Sequence, residues 1–262
     1  GGEQYQWSSG IDDGFFFSEY GEGSSNNKYL ELYNGNDHDI VLSDYRILTN
    51  YNGNPWTSWY DFPTGVTLAP GDVYIIANAD ADPTILAEAD ETFTYGGGGF
   101  IVNFNGDDVR ALVKIVCGDT TILDIIGRYD LQDPGSGWEV AGVPDGTKEH
   151  TLVRKSTVCS GNYDWDMAAG TNATDSEWIV YPQNDWGYIG SHTGCSATNN
   201  SESITVCPTT TTTYMVTVTN MVGCTASDDV TVTVLPLPTV NAGPDVTICE
   251  GDCTTLTGTG NG

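Results

Sequence analysis

Apolar and polar positions alternate with a period of two along most of the chain, and the 3.6-residue period of a helix is nearly absent. The pattern is clearest over residues 15–34, FFFSEYGEGSSNNKYLELYN. Phe15, Phe16 and Phe17 lead through a Gly/Ser/Asn turn into the alternating run Lys28-Tyr29-Leu30-Glu31-Leu32-Tyr33, which predicts a β-hairpin with one buried face. Further strands are predicted at 41–45, 73–77, 100–104, 111–116 and 121–126. They are set apart by Asn34-Gly35, Asn52-Gly53, Pro70-Gly71 and Asn105-Gly106, where Gly and Asn tolerate the backbone that tight turns need. A short helix is predicted at 82–89, with Asp82 as N-cap and Pro83 in the first helical position. The chain is therefore read as all-β.

After Gly194 the composition turns to Thr, Val and Ser. Residues 203–208, 214–219 and 229–234 alternate as three strands. Leu235-Pro236-Leu237-Pro238 reads as a stiff linker, because closely spaced prolines favour extended chain. Two more strands are predicted within 241–251 and 254–260, a pair too small to be stable alone in water.

Several of these segments fall in a recognisable order. The hairpin, Val41-Leu42-Ser43-Asp44-Tyr45, Thr67-Leu68-Ala69-Pro70-Gly71-Asp72, Thr151-Leu152-Val153-Arg154-Lys155, Asn162-Tyr163-Asp164-Trp165 and Glu177-Trp178-Ile179-Val180 together resemble a bacterial lamin-tail domain across residues 11–194. That resemblance implies an immunoglobulin-like β-sandwich. Residues 195–234 resemble the second half of a PKD/immunoglobulin-like adhesin repeat of gliding-bacteria surface proteins, and 239–262, past the 235–238 linker, resemble a first half. The strand such repeats carry between their halves resembles Tyr5-Gln6-Trp7-Ser8-Ser9-Gly10, so residues 1–10 belong with that module and the lamin-tail unit is inserted in it. The expected smaller sandwich is completed by segments from both chain ends or by a neighbouring subunit.

The shifted order has three readings. The chain is one period of a longer tandem polypeptide, or a subunit that lends residues 239–262 to its neighbour, or a piece whose ends fall in two different modules. Strand lending supplies affinity through main-chain pairing and, acting head to tail, builds an open filament. Trp7, Val246, Ile248 and Leu256 are then the assembly residues, with Trp7 in the place of the core Trp of an immunoglobulin sandwich. The adhesin resemblance also implies a Cys224–Cys249 bridge and suggests a second between Cys207 and Cys253. Cys117 and Cys159 are placed to join two strands of the lamin-tail unit, which leaves Cys195 odd. Spacing alone leaves connectivity open.

Charge narrows the partners. The 262 residues carry 36 acidic against 8 basic side chains, a formal net charge of −28. So few cations cannot replace the counterions of a phosphate backbone, which argues against nucleic acid. No apolar run approaches the roughly 18 residues of a membrane helix. Seven Cys without a CxxC, and three scattered His, favour disulfides over zinc. The expected setting is extracellular or bacterial cell-surface, as a mature or excised piece of an exported protein.

Candidate chemistry is sparse. Asp- and Asn-rich loops suit calcium, and Asn78, Asp80, Asp82, Asn105, Asp107 and Asp108 are the first candidates, although Asp and Asn also serve simply as turn formers. Tyr51, Trp56, Trp59 and Tyr60 cluster as a binding loop for a glycan or a neighbouring subunit. Thr120 and the run Thr209, Thr210, Thr211, Thr212 and Thr213 are glycosylation candidates. No nucleophile elbow accompanies the His residues; His150 is expected at a strand end, with His38 and His192 exposed. The reading that results is a non-enzymatic extracellular structural protein whose partners are copies of itself, in a filament or a repetitive adhesin stalk. The alternatives are a binding module for glycan or protein, and an accessory domain of an exported enzyme.

Overall fold

The computed structural model describes residues 4–8, 14–116, 119–130, 132–194, 206–219 and 225–261. The predicted hairpin is formed by β2 (Phe15–Glu22) and β3 (Lys28–Asn34), following a short β1 (Gln4–Ser8). The hairpin is the centre of a six-stranded sheet. β12 (His150–Arg154) pairs on β2, with β13 (Trp178–Pro182) outside it. On the other side β8 (Val73–Asn78) pairs on β3, and β9 (Glu91–Phe93) closes that edge in parallel. A four-stranded sheet faces it, in the order β11 (Asp119–Ile126), β10 (Arg110–Val116), β5 (Tyr45–Thr49), β6 (Ser58–Asp61). Between the sheets Phe15, Phe17, Tyr20, Leu30, Leu32, Leu152 and Trp178 meet Tyr45, Ile47, Tyr60, Leu112 and Ile125 in one core. Burying each such side chain contributes roughly 1.5–3 kcal/mol. The fold is an all-β, immunoglobulin-like sandwich.

The hairpin departs from expectation in having both faces buried; all eight residues of β2 are inaccessible. Its outer face lies under α1 (Pro83–Glu88) and a strap of residues 183–194. Ile85, Trp186 and Ile189 pack there with Tyr29 and Ala77, and the His192 ring stands edge-on to Phe16 and Tyr33. His192 is thus half-buried rather than exposed. Helix α1 starts as predicted, with Asp82 accepting from the Thr84 N–H and Pro83 next in line. A second short helix, α2 (Trp165–Ala169), capped by Asp164, was not predicted. The expected 41–45 strand is interrupted: Ile40–Val41 (β4) pairs with Thr67–Leu68 (β7), and a 3-10 turn at Leu42–Asp44 separates it from β5. The expected 100–104 strand is absent. A 3-10 turn spans Gly97–Phe100, and the carbonyls that would have built a ladder are taken by Arg110.

Outside the sandwich, β1 pairs with β14 (Thr212–Thr219), and β14 pairs with β15 (Thr225–Val232). Two segments about 200 residues apart thereby share one sheet. Residues 239–261 do not join it. Only Thr239–Asn241 (β16) and Thr259–Asn261 (β17) pair, with each other, and the strands expected within 241–251 and 254–260 are not formed. Exposed chain without a neighbouring strand bonds its main-chain groups to water instead of to a ladder, which is why the alternation alone does not make a strand here.

Candidate functional site

The residues expected to take part in assembly lie in two places, Trp7 in β1 and Val246, Ile248 and Leu256 in the segment after β15. In the β1–β14–β15 sheet, Trp7 stands opposite Val216, and Tyr5 opposite Val218. Tyr214 stands opposite Val230, and Thr212 opposite Val232. With period-two alternation this register gathers Tyr214, Val216, Val218 and Val230 on one face. The other face is polar: Thr213 bonds Thr231 and Thr217 bonds Ser227, each at 2.8 Å. An amphipathic sheet of this kind requires a second layer; Tyr214 is buried and Val216 and Val218 half-buried, yet Val230 is 52% exposed. The second surface is 235–260, every residue of which is exposed. Val246, Ile248 and Leu256, expected to bury their side chains, are open to solvent.

A cleft of about 530 Å3 opens where the β2–β3 turn, the end of β8 and the loop of residues 95–108 converge. Tyr51, Tyr95, Phe100 and Phe104 supply rings, and Asn26, Asn78, Asn103, Asn105 and Asp108 supply amide and carboxylate groups. Its wall is fixed by Arg110, which is fully buried. Nε donates to the Ile101 carbonyl, Nη1 to those of Asn50 and Val109, and Nη2 to those of Phe100 and Asn103, at 2.9–3.3 Å. All five guanidinium donors point at backbone oxygens. Gly99 lies so close to β6 that a Cβ there would sit 2.2 Å from the Trp59 carbonyl oxygen, and its own carbonyl accepts from Thr49 and Ser58.

A third cluster lies beneath the strap. The register of β2 slips between Phe17 and Glu19, so Ser18 and Glu19 turn together to the outer face while Phe17 and Tyr20 both reach the core. Glu19 then stands cross-strand from Glu31. Tyr29 Oη donates to Glu19 at 2.5 Å, Ser18 Oγ to Glu31 at 2.7 Å, and the Gly190 N–H of the strap to Glu31 at 2.7 Å. Burial, reinforced by the Glu31 charge, pushes Glu19 up to about 8; burial pushes Glu31 up to about 7 against the hydrogen bonds it accepts. Glu19 Oε2 is buried without a partner. No sequence signal marked this pair, since isolated Glu residues in alternating strands read as solvent-facing.

The other sequence candidates are scattered. The Tyr51–Tyr60 cluster is not one surface: Tyr51 lines the cleft, Trp56 stacks on Tyr129 at 4.1 Å, Trp59 lies beside Arg46, and Tyr60 is buried and bonded to Glu91. β6 carries Trp59 and Tyr60 to opposite sides, as strand alternation requires. Of the calcium candidates, Asn78 accepts from the Asp80 N–H, Asp82 caps α1 and Asp108 accepts from the Asn52 N–H. Asp107 is buried with one oxygen unpartnered, and Asn105 is exposed. Among the described residues no three Asp, Glu, His or Cys side chains converge to hold a metal. His150 opens β12, as expected for a strand end.

Cys159 and Cys207 each take part in a disulfide, and Cys249 and Cys253 are free and exposed. The Cys207–Cys253 bridge is therefore not the one formed in this chain. Cys249 being free, the expected Cys224–Cys249 bridge is likewise not formed within this chain; Cys117, Cys195 and Cys224 lie outside the described residues, and with Cys117 the Cys117–Cys159 pairing. Thr120 is exposed within β11, and Thr209, Thr210 and Thr211 are exposed ahead of β14, which takes in Thr212 and Thr213.

No helix among the described residues is long and apolar enough to cross a membrane. No curated protein matches the chain. Among solved structures, the crystal structure of a DUF4876 family protein from Bacteroides thetaiotaomicron VPI-5482 is similar, at 14% identity and a TM-score of 0.44, covering 69% of this chain and 74% of that one. The Lamin Tail Domain family model matches residues 14–128, which hold β2 through β11, so that the central part of the sandwich is similar to a lamin tail domain.

Proposed function

We propose that this is an extracellular structural protein that assembles head to tail, residues 239–261 of one copy completing the β1–β14–β15 sheet of the next. The observation that carries this reading is a double deficit in one chain. On the apolar sheet face Val230 is 52% exposed although Tyr214 is buried, while Val240, Val246, Ile248 and Leu256 stand exposed on a segment that, among the described residues, pairs only with itself. Leu235-Pro236-Leu237-Pro238 follows β15 closely, and a stiff extended linker of about 3.1 Å per residue leads 239–261 away from its own sheet. Contact of this kind is heterologous and does not close on itself, so it propagates. Cys249 and Cys253 are placed to add bonds at the junction.

The test combines electron microscopy with denaturing gels, with and without reductant. Wild-type chain of 28.0 kDa is expected to form fibres, and Val246→Asp, Ile248→Asp and Leu256→Asp to remain monomers with unchanged melting, because each side chain is already exposed. Monodisperse wild-type monomers at every concentration, or fibres undiminished in the three variants, would refute strand lending.

A further inference from the structure

Three of the seven non-glycine residues with positive φ among the described residues lie in or beside the cleft. Ser25, Asn52 and Phe100 have φ of 56°, 47° and 62°; Ser25 and Phe100 line the cleft, and Asn52 follows Tyr51. For a ring-bearing residue such as Phe100 the left-handed region is an outlier, and strain of roughly 1–3 kcal/mol persists only where the surroundings impose it. Here Arg110 imposes it, holding the Phe100, Ile101 and Asn103 carbonyls together. The result is a ring fixed at the cleft wall, edge-on to Tyr51 at 5.4 Å and to Tyr95 at 5.7 Å. Tyr95 itself remains 81% exposed beyond its edge contact with Phe100.

The polar lining is equally set. Asn103 Oδ1 accepts from the Gly96 N–H and Asn78 Oδ1 from the Asp80 N–H, both at 3.0 Å. With the oxygens so engaged, the NH2 group of each amide is left as a donor. Asp108 uses Oδ1 on the Asn52 N–H at 3.1 Å, leaving Oδ2 as an acceptor. Lys28 offers no anion site, because its ammonium is spent on Glu22 and the Gly23 carbonyl. A net charge of −28 repels anions further. The lining elements are turns and strand ends, so no open ladder is available to pair with an extended peptide.

What fits flat apolar rings beside interleaved donors and acceptors, without a charge, is a sugar: one face of a pyranose is C–H, and its rim is hydroxyl groups that both donate and accept. The volume is within the roughly 300–1,000 Å3 of small-molecule sites. We propose that the cleft binds a neutral saccharide, its ring against Tyr95 and Phe100 and its hydroxyls on Asn78, Asn103, Asn105 and Asp108. The site is independent of strand lending and is available in the monomer.

Saturation-transfer NMR on the full chain tests this with glucose, galactose, mannose, N-acetylglucosamine, cellobiose, lactose and chitobiose as probes. At least one sugar is expected to receive transfer. Tyr95→Ala and Asn105→Ala, at exposed positions, are expected to weaken it by about tenfold each, the scale of losing one anchoring contact. Trp59→Ala, which removes an exposed aromatic elsewhere, is expected to leave it unchanged. No transfer to any of the seven sugars, transfer that survives Tyr95→Ala and Asn105→Ala, or transfer lost in Trp59→Ala would each overturn the proposal.

Discussion

Glu19 and Glu31 are the side chains through which pH acts most directly on this fold. Both carboxyls are held above their unfolded value of 4.5, at about 8 and about 7, so the folded chain keeps protons that the unfolded chain releases. Their contribution is therefore most favourable below pH 4.5 and declines as pH rises toward 8. The groups facing them are Ser18 on β2, Tyr29 on β3, Asp185 and the Gly190 N–H on the strap, and Glu88 on α1. Glu19→Gln is expected to raise the melting midpoint at pH 8.5 by at least ~2 °C, the shift of roughly 1 kcal/mol in a domain of this size, and to leave it unchanged at pH 4.5. Melting curves across that range check it, and an equal shift at both pH values would remove the titration from the explanation. His192 acts in the opposite sense. Burial lowers it to about 4 from 6.5, so its contribution is present above pH 6.5 and lost as pH falls toward 4. A different residue-level dependence is the ion pair of Arg154 and Asp124, both fully buried between the sheets. Asp124 also accepts from the Phe17 and Asn162 N–H groups, and Arg154 lies 4.0 Å over the Trp178 ring. Asp124→Ala removes one of the two carboxylates that hold the buried Arg154, leaving Glu177 at 2.6 Å, and is expected to cost about 1–3 kcal/mol in urea unfolding.

At the scale of elements, local chemistry placed the hairpin, the turns and α1, because each is decided by neighbours a few residues away. Where a distant partner decides, the pattern misled. The 100–104 run alternates like a strand, but Arg110 claims its carbonyls. Residues 242–258 alternate too, yet form no strand without a neighbour. The bulge at Ser18 left no mark in the pattern, and it alone puts Glu19 outside the core. β1 offers the sharpest element-level test. It is the strand beside β14 on the side opposite β15, so deleting residues 1–8 is expected to speed proteolysis within 206–232 several-fold while the sandwich melts as before. Mass spectrometry of the cleavage products separates the two units, and equal loss of protection in both would show that β1 supports more than its own sheet.

For the molecule as a whole, charge would set the conditions of the proposed assembly. Copies carrying −28 repel one another, and the repulsion is screened over about 30 Å at 0.01 M salt but only about 8 Å at 0.15 M. Fibre formation is expected to accelerate at least several-fold between those salt concentrations, read by light scattering. Indifference to salt would mean that the junction forms without bringing the charged bodies together. Thr-rich β14 and β15 and the exposed 235–260 segment lie outside the match to the lamin tail family, so the surfaces proposed for assembly and the matched part of the sandwich come from separate parts of the chain.

By itself the sequence determined the fold class, the central hairpin, the capped helix and the membership of residues 4–8 in the sheet of residues 212–232. These follow from short-range periodicity, turn chemistry and motif order, all written along the chain. Tertiary structure decided which faces are covered: the strap over β2 and β3, the burial of Glu19, Glu31 and His192, and the meeting of Tyr95, Phe100, Asn78 and Asp108 in one cleft. Those outcomes depend on contacts between segments tens to more than a hundred residues apart, and a two-residue period specifies a face without naming what lies against it.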